Sequence, residues 1–135
     1  MVHSEDIYKS FYNVIKPVTG FKVVQAFIDD FVTQANKKFQ NQIVITPPVL
    51  PSENYTFDDN QYTADSSITI EIFATSMKDA TIAYDTVCTK ILSNKSDLIV
   101  GNIKFGDTET SSVIVGGTSI KIVPIIISFD YGFSL

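Results

Sequence analysis

Between Ser67 and Ala74 the chain alternates strictly, with Ile68, Ile70 and Ile72 on one side and Thr69, Glu71 and Phe73 on the other. A period of two is that of a strand with one face on a core. Ser76 then provides a hydroxyl to cap a helix, and Ala80, Ala83, Tyr84, Val87 and Ile91 recur at helical spacing up to about Ser93-Asn94. A one-faced strand followed by a one-faced helix has a simple solution: the helix lies across the sheet. This pairing sets the expectation of an α+β layered fold.

The remaining segments extend that expectation. Ser4 can cap a first helix over about 4–16, with Glu5 and Asp6 at its positive end and Ile7, Phe11, Val14 and Ile15 along one face. Pro17 and Gly20 end it. Residues 21–39 read two ways. Phe21, Val24, Phe27, Phe31, Ala35 and Phe39 could form one helical stripe, whereas Phe21-Lys22-Val23-Val24 favours a strand followed by a helical turn. Gln42 to Thr46 reads as a short strand with Ile43 and Ile45 on one face, stopped by Pro47-Pro48.

Ser52 to Asp65, rich in Asn, Asp and Tyr, has no periodicity and is expected to be a long loop or extended arm. Leu98 to Phe105 alternates weakly. Gly116-Gly117-Thr118 sits between apolar runs as a hairpin signal, and Pro124 argues for a bulge or an edge position in the last strand. The expected architecture is a single domain, residues 1–135. It is α+β, with a mixed, mainly antiparallel β-sheet, one or two helices on one face, and a C-terminal β-hairpin.

Charge and composition narrow the function classes. With a formal net charge of -5, the chain lacks the concentrated basic surface that phosphate neutralisation needs. No apolar run approaches the roughly 20 residues of a membrane-crossing helix, and residues 1–11 are acidic and polar where a signal peptide is basic and then apolar. The single cysteine, Cys88, has no internal partner, in keeping with a reducing compartment, so a cytosolic protein is expected.

Catalytic residue types are scarce. The one histidine, His3, lies near the terminus, and Cys88 falls beside a helical apolar stripe, where a small buried hydrophobe is the simpler reading. Asp29, Asp30, Asp58, Asp59, Asp65 and Asp107 follow no cation-binding register and read as solvated loop charge. Gly116-Gly117 lacks the context of a dinucleotide site. No enzyme activity, cofactor or metal is expected.

Aromatic residues outside the periodic segments stand out: Tyr55, Phe57 and Tyr62 in the arm, and Phe129, Tyr131 and Phe133 near the end. Interfaces are enriched in such side chains, which makes these six the candidate contacts with other proteins. The alternative is that the arm folds back over its own core.

The order of elements resembles that of a tail terminator or neck protein of tailed bacteriophages. The resemblance to the neck terminator type is carried by Val18-Thr19-Gly20-Phe21-Lys22-Val23-Val24-Gln25-Ala26-Phe27, by Ile43-Val44-Ile45-Thr46-Pro47-Pro48, and by Ile68-Thr69-Ile70-Glu71-Ile72-Phe73 leading into Asp79-Ala80-Thr81-Ile82-Ala83. It spans most of the chain and rests on order and spacing. Asp29 to Gln40 is longer and more helical than the family's usual link, and Pro124 is a further departure.

The resemblance implies a virion protein assembled in the host cytoplasm as a ring homo-oligomer, a hexamer. Its partners would be the tail tube protein and the head-connector or adaptor protein. DNA would pass through the lumen without specific binding, and no membrane would be involved. Two other classes remain open. One is a different head–tail assembly protein or a small ligand-binding module with its ligand between the sheet and the Ser76 to Ser93 helix. The other is an enzyme built on Asp58, Tyr62 and Lys78.

Overall fold

A computed structural model of the chain describes residues 4–25, 41–48, 55–58 and 61–134. The first helix, α1, spans Ser4–Ile15, close to the expected range, and buries Ile7, Phe11, Val14 and Ile15. Strand β1, Lys22–Gln25, agrees with the strand reading of the segment after Gly20, and β2 covers Gln42–Thr46 as expected. The stretch 26–40, where helix and strand both stood open, lies outside the described residues, as does His3.

Two long strands organise everything else. Strand β4 runs over Gln61–Ala74 and β7 over Thr118–Ser134, and all fourteen residues of β4 pair antiparallel with β7, from Gln61 opposite Ser134 to Ala74 opposite Lys121. Each long strand has two shorter strands along its outer side. Against β4 lie β2 and β3, the latter Tyr55–Asp58. Against β7 lie β5, Gly101–Phe105, and β6, Ser111–Val115. Strand β1 adds to β2 in parallel, giving one seven-stranded mixed sheet in the order β1-β2-β4-β7-β5.

Helix α2, Met77–Ser93, starts as its sequence dictates: Ser76 Oγ accepts a hydrogen bond from the Asp79 amide at 3.1 Å. Its stripe of Ala80, Ala83, Val87 and Ile91 is buried, with Tyr84 half-buried beside it. Both helices pack on the face carrying Ile43, Ile45, Ile68, Ile70, Ile72, Ile125 and Ile127, and these residues form one cluster with the helical stripes. A fully buried isoleucine contributes about 1.5–3 kcal/mol, so this face holds the two layers together. Beyond α2, a single 3-10 turn at Lys95–Asp97 leads into β5. The fold is the expected α+β arrangement, helices on one face and a hairpin at the C-terminal end.

One expectation needs correction and another a finer statement. The segment Ser52 to Asp65 is not a loop throughout: Tyr55–Asp58 forms β3 and pairs antiparallel with Gln61–Ala64 at the start of β4. Its Asn and Asp content masked two short runs of strand-forming Tyr, Thr and Phe whose pairing partner supplies the regularity.

Pro124 needs the finer statement: β7 is a central strand and has no bulge there, but at this position it is locally an edge. It lies opposite Glu71 within the central β4–β7 ladder. Residues of an antiparallel strand direct their N–H and C=O groups alternately to the two sides. Ile126 O accepts from Gly106 N at 2.7 Å on the β5 side, so position 124, two residues away, faces that same side. There the neighbouring chain, residues 106–110, runs between β5 and β6 outside any ladder. The missing proline N–H therefore faces a gap and no hydrogen bond is lost.

Candidate interaction surface

Length decides which part of the sheet remains available. At about 3.3 Å per strand residue and 1.5 Å per helical residue, the seventeen residues of β7 extend on the order of 55 Å, against about 25 Å for the seventeen of α2. Neither of the two described helices is long enough to cover the sheet from end to end. At one end β3 and β4 continue beside the last residues of β7. At the other, β6 and the start of β7 form a hairpin.

The β6–β7 hairpin is closed by Gly116 and Gly117, with φ of 57° and 81°. Positive φ at both central residues is the geometry that matches the twist of a two-residue hairpin, and glycine takes it without strain. The flanking side chains Ser111, Ser112, Val113 and Ile114 on β6, and Thr118 and Ser119 on β7, are all exposed. Ile114 is 74% exposed, the most of any large apolar residue among those described. Ile120 is buried at the base of the hairpin.

The two halves of this sheet edge differ. In β5, the two residues Asn102 and Ile103 oppose the single Phe129 on β7, an extra-residue bulge. Asn102 takes φ of 51° at that bulge, and its Nδ2 donates to Asp130 Oδ2. A Cβ at Gly101 would come within 2.9 Å of Asp130 Oδ1, so a larger residue there would push the Asp130 carboxylate aside. A bulge and an exposed Lys104 are devices that stop an edge from pairing. Strand β6 has neither a bulge nor a charge.

The six candidate aromatics divide between different surroundings. Phe129 and Tyr131 are core residues, 3% and 6% exposed, with the Phe129 ring 5.9 Å from that of Phe11 on α1 and 6.5 Å from that of Tyr131. Their exposure is too small for contact with another protein. Tyr55 and Phe57 lie on β3 and Tyr62 on β4, with Phe57 and Tyr62 directly opposite in register. Phe133 lies on β7 opposite Tyr62. The backbone thus brings Phe57, Tyr62 and Phe133 onto one row across three strands, a gathering that sequence spacing could not show.

The proposed constellation of Asp58, Tyr62 and Lys78 is not assembled. Asp58 and Tyr62 share the β3–β4 end, whereas Lys78 lies in the first turn of α2, beyond Ala74 at the far end of β4. Tyr62 and Ala74 are twelve residue steps apart along β4, on the order of 40 Å. Among the described residues no group of three or more His, Cys, Asp or Glu could hold a metal ion.

The buried stripe of α2 and the sheet face beneath it belong to one core cluster. An open cleft of about 340 Å³ lies elsewhere, between the C-terminal ends of the two helices, lined by Ser10, Asn13, Val14, Pro17, Lys90, Asn94 and Asp97. Its side-chain donors are partly spent on the helices themselves: Ser10 Oγ donates to Ile7 O and Asn94 Nδ2 to Lys90 O, each at 2.8 Å. Cys88 is half-buried beside Tyr84, and burial pushes its thiol above the ordinary value, the opposite of an activated nucleophile.

No helix among the described residues is long and apolar enough to cross a membrane. Compared with known families and with curated proteins, the sequence matches no family model and no curated protein.

Proposed function

We propose that this chain is a structural assembly protein of a tailed bacteriophage, a tail terminator or neck ring that joins the tail tube to the head connector. The observation that carries the reading is the excess length of the sheet. Strands β4 and β7 are longer than either of the two described helices and end in hairpins. Projecting hairpins and open sheet edges suit a protein whose neighbours complete its surface.

In this reading the body of helices and central sheet is the rigid block of each subunit. The contact with the next subunit is assigned to the β3–β4 end, where the backbone register sets the aromatic residues Phe57, Tyr62 and Phe133 in one row and interfaces are enriched in such residues. Repeated head to tail, a contact between two unlike surfaces closes into a ring when each step turns by a whole fraction of a circle with no rise. The net charge of -5 suits a channel for DNA, since walls of like charge keep phosphates from adhering. The protein performs no chemistry in this role.

Negative-stain microscopy of the purified chain, alone and mixed with tail tubes, tests the reading. Six-fold rings, free or seated on tube ends, are expected. Absence of rings in both samples, with tube ends left bare, overturns it.

A further inference from the structure

The outer edge of β6 has an unusual combination of properties. In the hairpin, Val115 pairs with Thr118, Val113 with Ile120 and Ser111 with Ile122. The bond from Gly106 N to Ile126 O shows that even-numbered residues of β7 bond toward this side, so Ser111, Val113 and Val115 bond inward to β7. By alternation, the N–H and C=O groups of Ser112 and Ile114 face outward. No described strand pairs with them.

The whole hairpin arm, residues 110–120, carries no charged side chain in a chain of net charge -5. Two copies of an acidic protein repel over most of their surfaces. Here they can meet without opposing charges, and the exposed Val113 and Ile114 reward the contact. Protective features stop at β5, leaving only the β6 half of this edge open to pairing.

We propose that β6 is a self-docking strand: the β6 edges of two copies pair antiparallel, in a register centred on Val113. In that register Ser112 lies opposite Ile114 of the second copy, and Ile114 opposite its Ser112. Each such pair exchanges both of its backbone hydrogen bonds, so every outward group of Ser112 and Ile114 is satisfied. Val113 meets Val113 of the second copy as the close, non-hydrogen-bonded pair on one face. Shifting the strands by one residue would set outward groups against inward ones. The contact is two-fold symmetric, distinct from the head-to-tail contact that makes a ring, and it does not depend on the ring reading.

Cross-linking tests the register directly. At a central non-hydrogen-bonded pair the Cα atoms are about 4.5 Å apart, within the range a disulfide spans. In a Cys88→Ala background, Val113→Cys is expected to form a covalent dimer on mild oxidation, whereas Ser111→Cys, placed opposite Val115, is expected to stay monomeric. Adding Ile114→Pro removes an outward N–H without touching the bonds to β7, and adding Ile114→Lys puts a cation on the contact in each copy while leaving the backbone intact. Both are expected to abolish the Val113→Cys cross-link. A Val113→Cys chain that cross-links no faster than Ser111→Cys, or one unaffected by Ile114→Lys, overturns the proposal. Six-fold rings without the cross-link leave the ring reading standing and remove this one; a cross-linked dimer without rings does the reverse.

Discussion

Pro124 lies directly opposite Glu71 in the middle of the β4–β7 ladder, with its ring nitrogen turned toward the break between β5 and β6. A residue that cannot donate a hydrogen bond thus occupies a part of a central strand whose outer neighbour leaves the ladder. Replacing it with alanine should change stability by well under about 1 kcal/mol, since no bond is gained and little packing is lost. Ile122→Pro is the contrasting case. Ile122 bonds to Ser111 across β6, and stranding that partner should cost about 1–3 kcal/mol. Urea denaturation of the two variants checks both outcomes.

Phe129 closes the core against Phe11, so Phe129→Ala should destabilise the fold by about 3–5 kcal/mol. Tyr62→Ala, in contrast, should reduce assembly. Comparing denaturation midpoints with the mass in solution separates the two: a Phe129→Ala chain as stable as the parent would contradict its place in the core.

At the hairpin tip, space and backbone can be separated. Nothing lies within 4 Å of a Cβ built on Gly117, so Gly117→Ala meets no clash, only the strain of φ near 81°. That strain is roughly 1–2 kcal/mol. Gly116→Asn should be nearly neutral, because asparagine tolerates this conformation and Asn-Gly is a preferred pair for such a turn. Thermal melts of the two variants provide the measurement.

Much of this architecture is readable from local chemistry. Strand β2 ends at Thr46 because Pro47 and Pro48 follow, α2 begins after Ser76 because its hydroxyl reaches the Asp79 amide, and the hairpin turns at Gly116-Gly117 because both residues need positive φ. What escaped the sequence depends on distant partners. Strand β3 is regular only through its pairing with β4, Pro124 is tolerated only because residues 106–110 leave the ladder, and Phe129 is buried by a helix near the other end of the chain. The aromatic candidates divided for the same reason: their composition was visible, but not which of them the fold would cover.

Stability should fall in alkaline solution. Burial raises the thiol of Cys88, with Asp85 adding to the rise and a hydrogen bond with Tyr84 opposing it. Burial is also the main cause raising the hydroxyls of Tyr84 and Tyr8. Groups that hold their protons longer in the folded state favour it fully below their unfolded pKa values. The advantage is lost as pH rises through the folded ones. Thermal melts should therefore be level up to about pH 8.5 and decline above it, first through Cys88 and then the tyrosines. Cys88→Ala should flatten the first part of the decline.

The mass of the protein in solution tests the central claim most directly. Light scattering over a range of concentrations and salt levels should find a species near six chains of 15.0 kDa, or a multiple of it, either alone or once tail tubes are supplied. A species that stops at one or two chains at every concentration, and ignores tail tubes, would contradict assembly into a ring.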